Sequence, residues 1–394
     1  MRPATRGLCA GLLAAVAACS ASGASDETRP PGPDDLDDGG APVVDGAPDG
    51  DAGPEIDPDA DRPLVCGDAG FCETKLPASD IGKPLALQGV WSVAPNDVWS
   101  VTAEGFVLHY DGTSWKTDYR ATYPLTAVWA TAAGVWVGGE GGPILHKPAG
   151  GAWTFLDIDH GTRVRAISGT SDDDVWFASD DGLVDHYDGT TLSAYPFDVP
   201  DLRIMTIAAR AGRGVFAAGY VSADPEYVYE PQPFLFELTP AGAVTFNPTL
   251  EEYYGFLPVS LEVTDAPDDE QRIFLFGYMD YGEFREVRYA RLGPESAVAL
   301  EDLKQPVKDE PVYGSPFDPE APYAIWVRSP VDVVMPYAED FRFAYLYRLN
   351  ASGHTVGSLG MGSGFVPRRV AGVHGNAVDT WLVGDGFALK GATP

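Results

Sequence analysis

Basic side chains are scarce in this chain. Twenty-six Lys and Arg stand against 58 Asp and Glu, a formal net charge of −32. The deficit is uneven: residues 26–63 hold thirteen acids against Arg29 and Arg62, a local balance of −11, and residues 64–394 keep about −23. So acidic a body repels phosphate backbones and anionic headgroups, which argues against nucleic acid or an anionic membrane surface as a partner.

Long apolar runs and cysteines are also few. The extended apolar stretch at residues 8–18 follows Arg2 and Arg6 and is too short to span a bilayer as a mature helix, so it reads as a targeting segment. Of four cysteines, Cys9 lies inside that segment and Cys19 just after it, leaving Cys66 and Cys72 for the body. In an exported chain this Cys-x5-Cys pair, beside Gly67 and Gly70, most simply closes a small disulfide loop. As metal ligands the two would need partners that no nearby Cys or His supplies.

Signatures of common catalytic chemistry are missing as well. There is no HExxH, no GxSxG elbow, no phosphate loop and no dinucleotide fingerprint, and the Gly-rich run at residues 360–364 lacks the strand-to-helix setting such motifs need. Neither a cofactor nor a metal is expected. The 45 acids of the body leave room for a carboxylate pair of the glycoside-cleaving kind, which their abundance hides.

What the chain does have is turn chemistry and aromatics: Gly 45, Pro 34 and 11% aromatic residues favour short strands and an all-β class. Residues 87–115, LQGVWSVAPNDVWSVTAEGFVLHYDGTSW, read as three short strands with turns at Pro95-Asn96-Asp97, Glu104-Gly105 and Asp111-Gly112, followed by a fourth from Trp115. This unit repeats. From Leu125, Trp129, Trp136, His146 and Trp153 reproduce Trp91, Trp99, His109 and Trp115 at a spacing of about forty residues. From Val164, Ile167, Trp176 and His186 follow the same order. Weaker copies begin at Ile204, Val259, Pro311 and Arg369, which makes seven, with Trp326 and Trp381 assigned to the second strand of the sixth and seventh.

The seventh copy ends after its third strand at residues 387–390, whereas CETKLP from Cys72 precedes the first copy as WKTDY precedes the second. Residues 72–76 are therefore expected to supply the missing outer strand and remove an open edge. The expected fold is an all-β, seven-bladed β-propeller of four-stranded antiparallel blades over residues 64–394, closed by an N-terminal strand. The chain resembles the broad propeller-repeat class of bacterial exported proteins, in look related to WD-repeat, YVTN and Asp-box propellers. In His109-Tyr110-Asp111-Gly112-Thr113-Ser114-Trp115 a Gly directly follows Asp where the Asp box has a spacer, so no sialidase residue is carried over.

Upstream, Val16-Ala17-Ala18-Cys19 resembles the lipobox of bacterial lipoproteins. The resemblance implies a signal peptide over residues 1–18, acylation of Cys19, and, from Ser20, sorting to the outer membrane, on either its periplasmic or its surface side. The alternative is an ordinary secretory signal ending near Ala21 or Ser22. Residues 19–63 carry many Asp, Pro and Gly and hardly any large apolar side chains, so they read as a self-repelling disordered tether. Asp57, Asp59 and Asp61 have calcium-loop rhythm, but Arg62 stands where such a loop wants Gly.

His109, His146 and His186 suggest a metal triad until their equivalence is noticed: repeat-related positions spread around a ring, so polar contacts between strands are the better reading. The Trp stripe reads as packing between blades, and Asp111-Gly112 and Asp188-Gly189 as hairpin turns. Blades four to six lengthen between second and third strands, with VSADPEYVYEPQP, MDYGEFRE and PVDVVMPYAEDFR. With the crossing that holds Tyr253 and Tyr254, these place Tyr227, Tyr229, Tyr281, Tyr337 and Phe341 on one candidate recognition face. Two functions follow: a lipid-anchored module binding a protein or glycan at the cell envelope, or a propeller glycoside hydrolase or polysaccharide lyase. The enzyme would place paired carboxylates and a base around the central channel.

Overall fold

The computed structural model describes residues 65–393, apart from residues 159–160, 181, 223–230, 265–271, 281–284, 295–296, 303–312, 315–324, 330–331, 340–342, 351–352 and 361–368. The described strands form seven antiparallel sheets arranged as a propeller. The first strands are Leu87–Ala94, Leu125–Ala130, Val164–Ser171, Arg203–Arg210, Phe256–Val263, Trp326–Ser329 and Val370–Gly375. Each touches the first strand of the next blade, and the last touches the first, so they close a ring around the central channel.

The repeat is visible in the backbone. In six first strands the pairing with the second strand slips by one residue at the same place, leaving Gln88, Thr126, Arg165, Met205, Val259 and Ala371 out of the ladder. Such a bulge increases local twist, which lets a strand bend around the channel. The hairpin turns expected at Asp111-Gly112 and Asp188-Gly189 form with φ of 95° and 88° at the glycines. The Asp111 and Asp188 carboxylates accept from the backbone N–H groups of the two following polar residues.

Phe71–Glu73 pairs with Phe387–Ala392 and completes blade seven as its outer strand. Three residues make a short strand, and three further features hold it. Phe71 is fully buried, which contributes roughly 1.5–3 kcal/mol. The Cys66–Cys72 disulfide ties the strand to the segment before it. Thr74 then donates to the Ala388 carbonyl at 2.8 Å and accepts from Trp115 Nε1 at 3.0 Å, linking the closing segment to blade one. Trp153 is held likewise by Asp118 of the preceding blade, at 2.8 Å, so the expected likeness of CETKLP to WKTDY is seen in shared bonding.

Two sequence assignments are corrected. In blade six, Trp326 lies on the first strand, and DVVMPYAE is the second strand, Asp332–Glu339, rather than a loop insertion. Tyr337 accordingly pairs with Tyr345 in the ladder, and Tyr313–Gly314 pairs with the third strand of blade five instead of opening blade six. In blade five, Met279, Asp280, Arg285 and Glu286 are paired residues, so the insertion shrinks to residues 281–284.

Candidate binding faces and the channel

The histidines are spent on structure. In blade one, Asp97 Oδ1 accepts from Trp99 Nε1 at 2.7 Å and lies 3.0 Å from His109 Nε2, while the imidazole stacks on the indole at 4.2 Å. Blade three repeats this with Asp174, Trp176 and His186 at 2.9, 2.8 and 3.9 Å. Blade two has the Trp136 and His146 stack at 3.8 Å, but its carboxylate is Asp172 of blade three, 2.7 Å from Trp136 Nε1 and 3.2 Å from His146 Nε2. Blade seven puts Lys390 in the histidine position, 3.0 Å from Asp379. Hydrogen bonds from His109 and His186 hold the Asp97 and Asp174 carboxyls below the usual range, against burial, which raises them. Each of these three histidines has its own carboxylate, and among the described residues no three metal-ligating groups converge.

These braces were only half legible. Asp-x-Trp at Asp97 and Asp174 is the sequence signal, because the second-strand register returns the carboxylate to the indole N–H two residues on; the same spacing at Asp379 pairs the carboxylate with Lys390 instead, and the Trp381 indole N–H finds no partner among the described residues. Asp172 carries no such signal.

The second-to-third-strand connections share a face with the crossings between blades, since antiparallel strands bring both to the same end. Of the residues expected to mark it, Tyr227, Tyr229, Tyr281 and Phe341 lie outside the described residues, and Tyr337 is placed only by its backbone. Tyr253 turns inward: its hydroxyl donates to the Val298 carbonyl at 2.6 Å and its ring packs on the core between blades four and five. Tyr254 is 59% exposed. It follows the 3-10 turn Pro248–Glu252, which Asn247 caps by accepting from the Thr249 and Leu250 N–H groups. Gly255 N–H donates to the Pro231 carbonyl at 2.9 Å, so Tyr254 stands at the foot of blade four's long connection. Ile81 and Leu183, also exposed, belong to a crossing and a second-to-third-strand turn of this same end.

At the level of the channel, one position per first strand recurs by register: Trp91, Trp129, Ser168, Ala208, Glu262, Trp326 and His374. His374 stacks on Trp91 at 3.9 Å, and its Nδ1 accepts from Ser92 N–H at 3.0 Å. Protonating Nδ1 would break that bond, and burial already lowers the imidazole pKa to about 3, so His374 stays neutral. Glu262 is the carboxyl of this ring. Burial pushes it up to about 8, while the Arg210 guanidinium pulls it down.

No protein-family model matches the chain, and no curated protein matches it in sequence. Solved propellers do match in structure. A YCF48 structure bound to a D1 peptide is 13% identical, covering 84% of this chain and 100% of that one at a TM-score of 0.55. The WD40 β-propeller domain of Doa1 is 14% identical, covering 82% and 96% at a TM-score of 0.53. The extracellular domain of the putative one-component system BT4673 from B. thetaiotaomicron is 13% identical, covering 82% of this chain and 40% of that one at 0.54. At such identities the likeness is one of fold, and it agrees with the ring: the chain is a seven-bladed β-propeller.

Proposed function

We propose that this propeller is a lipid-anchored binding module of the bacterial cell envelope. It is held to the outer membrane through acylated Cys19 and presents the face of the second-to-third-strand connections to a protein partner. The observation that carries the reading is Tyr254, a large side chain left 59% exposed on a capped, hydrogen-bonded crossing. A rigid aromatic loses little freedom on docking, which suits it to an anchor role. The YCF48 neighbour, named as bound to a peptide, supports a protein over a glycan ligand. Catalysis finds less support, because the paired His and Asp groups of blades one to three brace tryptophans.

The test is binding of envelope extract to the soluble body from residue 64 onward, with any captured partner then titrated against two variant sets. Changing Tyr227, Tyr229, Tyr254, Tyr281 and Tyr337 to Ala in twos and threes should weaken binding by more than about 2 kcal/mol. Asn96→Ala with Val378→Ala, on the opposite face, should leave it unchanged. Equal loss from both sets, or none from the tyrosines, moves the site to the channel and favours the polysaccharide-cleaving reading.

A further inference from the structure

Two arginines flank one turn on the face of the second-to-third-strand connections. The turn belongs to blade three and is pinned by Gly182 N–H donating to the Ser179 carbonyl at 3.0 Å and Ser179 N–H donating to the Leu183 carbonyl at 2.9 Å. At one end Asp180 Oδ1 accepts from Arg165 Nε at 2.7 Å. At the other, Gly182 lies against the start of blade four: a Cβ there would stand 2.3 Å from the Leu202 carbonyl oxygen and 2.9 Å from the Arg203 Cα. Its φ of 81° also calls for glycine. Asp180 and Gly182 are two residues apart, so their Cα atoms stand no more than about 7 Å from each other. The Arg165 head and the Arg203 backbone thus share one small patch, and the exposed Leu183 adjoins it.

Much of both guanidinium groups is unspent. Arg165 commits only Nε, and neither of its Nη atoms meets an acceptor among the described residues. Arg203 is exposed, and its side chain makes no ion pair or hydrogen bond among the described residues. The arginine at the corresponding place in blade seven is different: Arg369 donates from Nη2 to Gln88 Oε1 at 3.3 Å, and its Nη1 lies 3.5 Å from Asp385 Oδ1. Arg163, the corresponding residue of blade three, has its carbonyl taken by the Asp180 N–H at 3.0 Å.

We propose that this patch of blades three and four holds a carboxylate of the protein partner, namely the free carboxyl terminus of a chain whose last side chain is apolar. The inference rests on the reading that this face meets a protein. An unspent guanidinium offers parallel N–H donors that match the two oxygens of a carboxylate, and Leu183 gives an apolar last side chain a surface to cover. A chain end fits better than an acidic stretch, because it brings one carboxylate and no further charge onto a body of about −23, which repels polyanions. Asp180 and Asp201, next to the two arginines, act in the same direction: they leave room for one negative charge and not for many.

The experiment is titration of rhodamine-labelled Ala-Ala-Ala-Leu, as the free acid and as the carboxyl-terminal amide, with the full chain, read by fluorescence anisotropy. The free acid should bind about tenfold more tightly than the amide, as expected for charge-assisted hydrogen bonds. Arg203→Gln and Arg165→Gln should each lose most of that difference. Arg203→Lys should lose part of it, because an ammonium does not pair bidentately, and Arg369→Gln should bind like wild type. Arg203 is exposed, so its variants test the site even if freeing Asp180 from Arg165 unsettles the turn. Equal binding of acid and amide, or binding of neither, overturns the proposal, as does an Arg203→Gln protein that tracks wild type. None of these results touches the wider reading, which the tyrosine variants and the captured partner test separately.

Discussion

Asp172 of blade three occupies the space in front of Gly134 of blade two: a Cβ on that glycine would stand 2.5 Å from the Asp172 Oδ1. Gly134 is where blades one and three carry Asp97 and Asp174, so blade two has given up its own carboxylate and borrows its neighbour's. Asp172→Ala should strand the indole N–H of fully buried Trp136 and cost about 1–3 kcal/mol. Gly134→Asp alone should also destabilise, by crowding two carboxylates. Combined, the two should recover most of the loss, read as a coupling energy from urea unfolding of the four proteins. Simple additivity would mean that the two sites are not interchangeable.

Ring closure rests on a strand of three residues, so it should be sensitive to what holds that strand. Deleting residues 64–77 exposes the edge of Phe387–Ala392 and should lower the melting temperature by several degrees or cause aggregation. Replacing Cys66 and Cys72 together by Ser is a milder version. Releasing so short a loop should cost about 2 kcal/mol, seen as a lower denaturation midpoint. An unchanged melt in the deletion would show that the outer strand is dispensable.

Anchoring makes a separate prediction, because it depends on residues upstream of the described ring. Cys19→Ser should move the protein from the membrane to the soluble fraction and abolish the lipid mass on its amino-terminal peptide. Fractionation and peptide mass that do not change would instead indicate the ordinary secretory signal.

The first three blades were readable because each repeats a tryptophan on its second strand beside a histidine on its third, so strand order and register are both spelled out. Blade six was misread for a physical reason. Pro336 sits in the middle of Asp332–Glu339, where a proline normally argues against a strand, yet it pairs with Leu346. Denied that strand, a reader moves Trp326 into its place, although Trp326 holds the first-strand register position of Trp91 and Trp129. Tyr253 shows the limit for the binding face: composition marks it as aromatic, but only the crossing geometry buries its hydroxyl on Val298 and leaves Tyr254 outward.

The Asp and His braces should set the acid limit of the fold. Asp97 and Asp174 have carboxyls lowered chiefly by hydrogen bonds from His109 and His186. A carboxyl whose native pKa lies below its unfolded value of 3.8 adds stability above that value and loses it as pH falls through the native one. Removing the histidine should return Asp174 toward its ordinary range, so His186→Ala should begin to unfold at higher pH than wild type. At neutral pH the loss should be modest, about 0.5–1.5 kcal/mol for one hydrogen bond, since Trp176 and Thr170 still donate to Asp174. Trp176 reports on this directly, because its ring stacks on His186 at 3.9 Å and its fluorescence should change with the imidazole's removal. An acid titration followed by tryptophan fluorescence and circular dichroism, with His109→Ala as the second case, checks both statements. Acid limbs that overlay wild type would mean that the Trp176 and Thr170 bonds alone hold the carboxylate down.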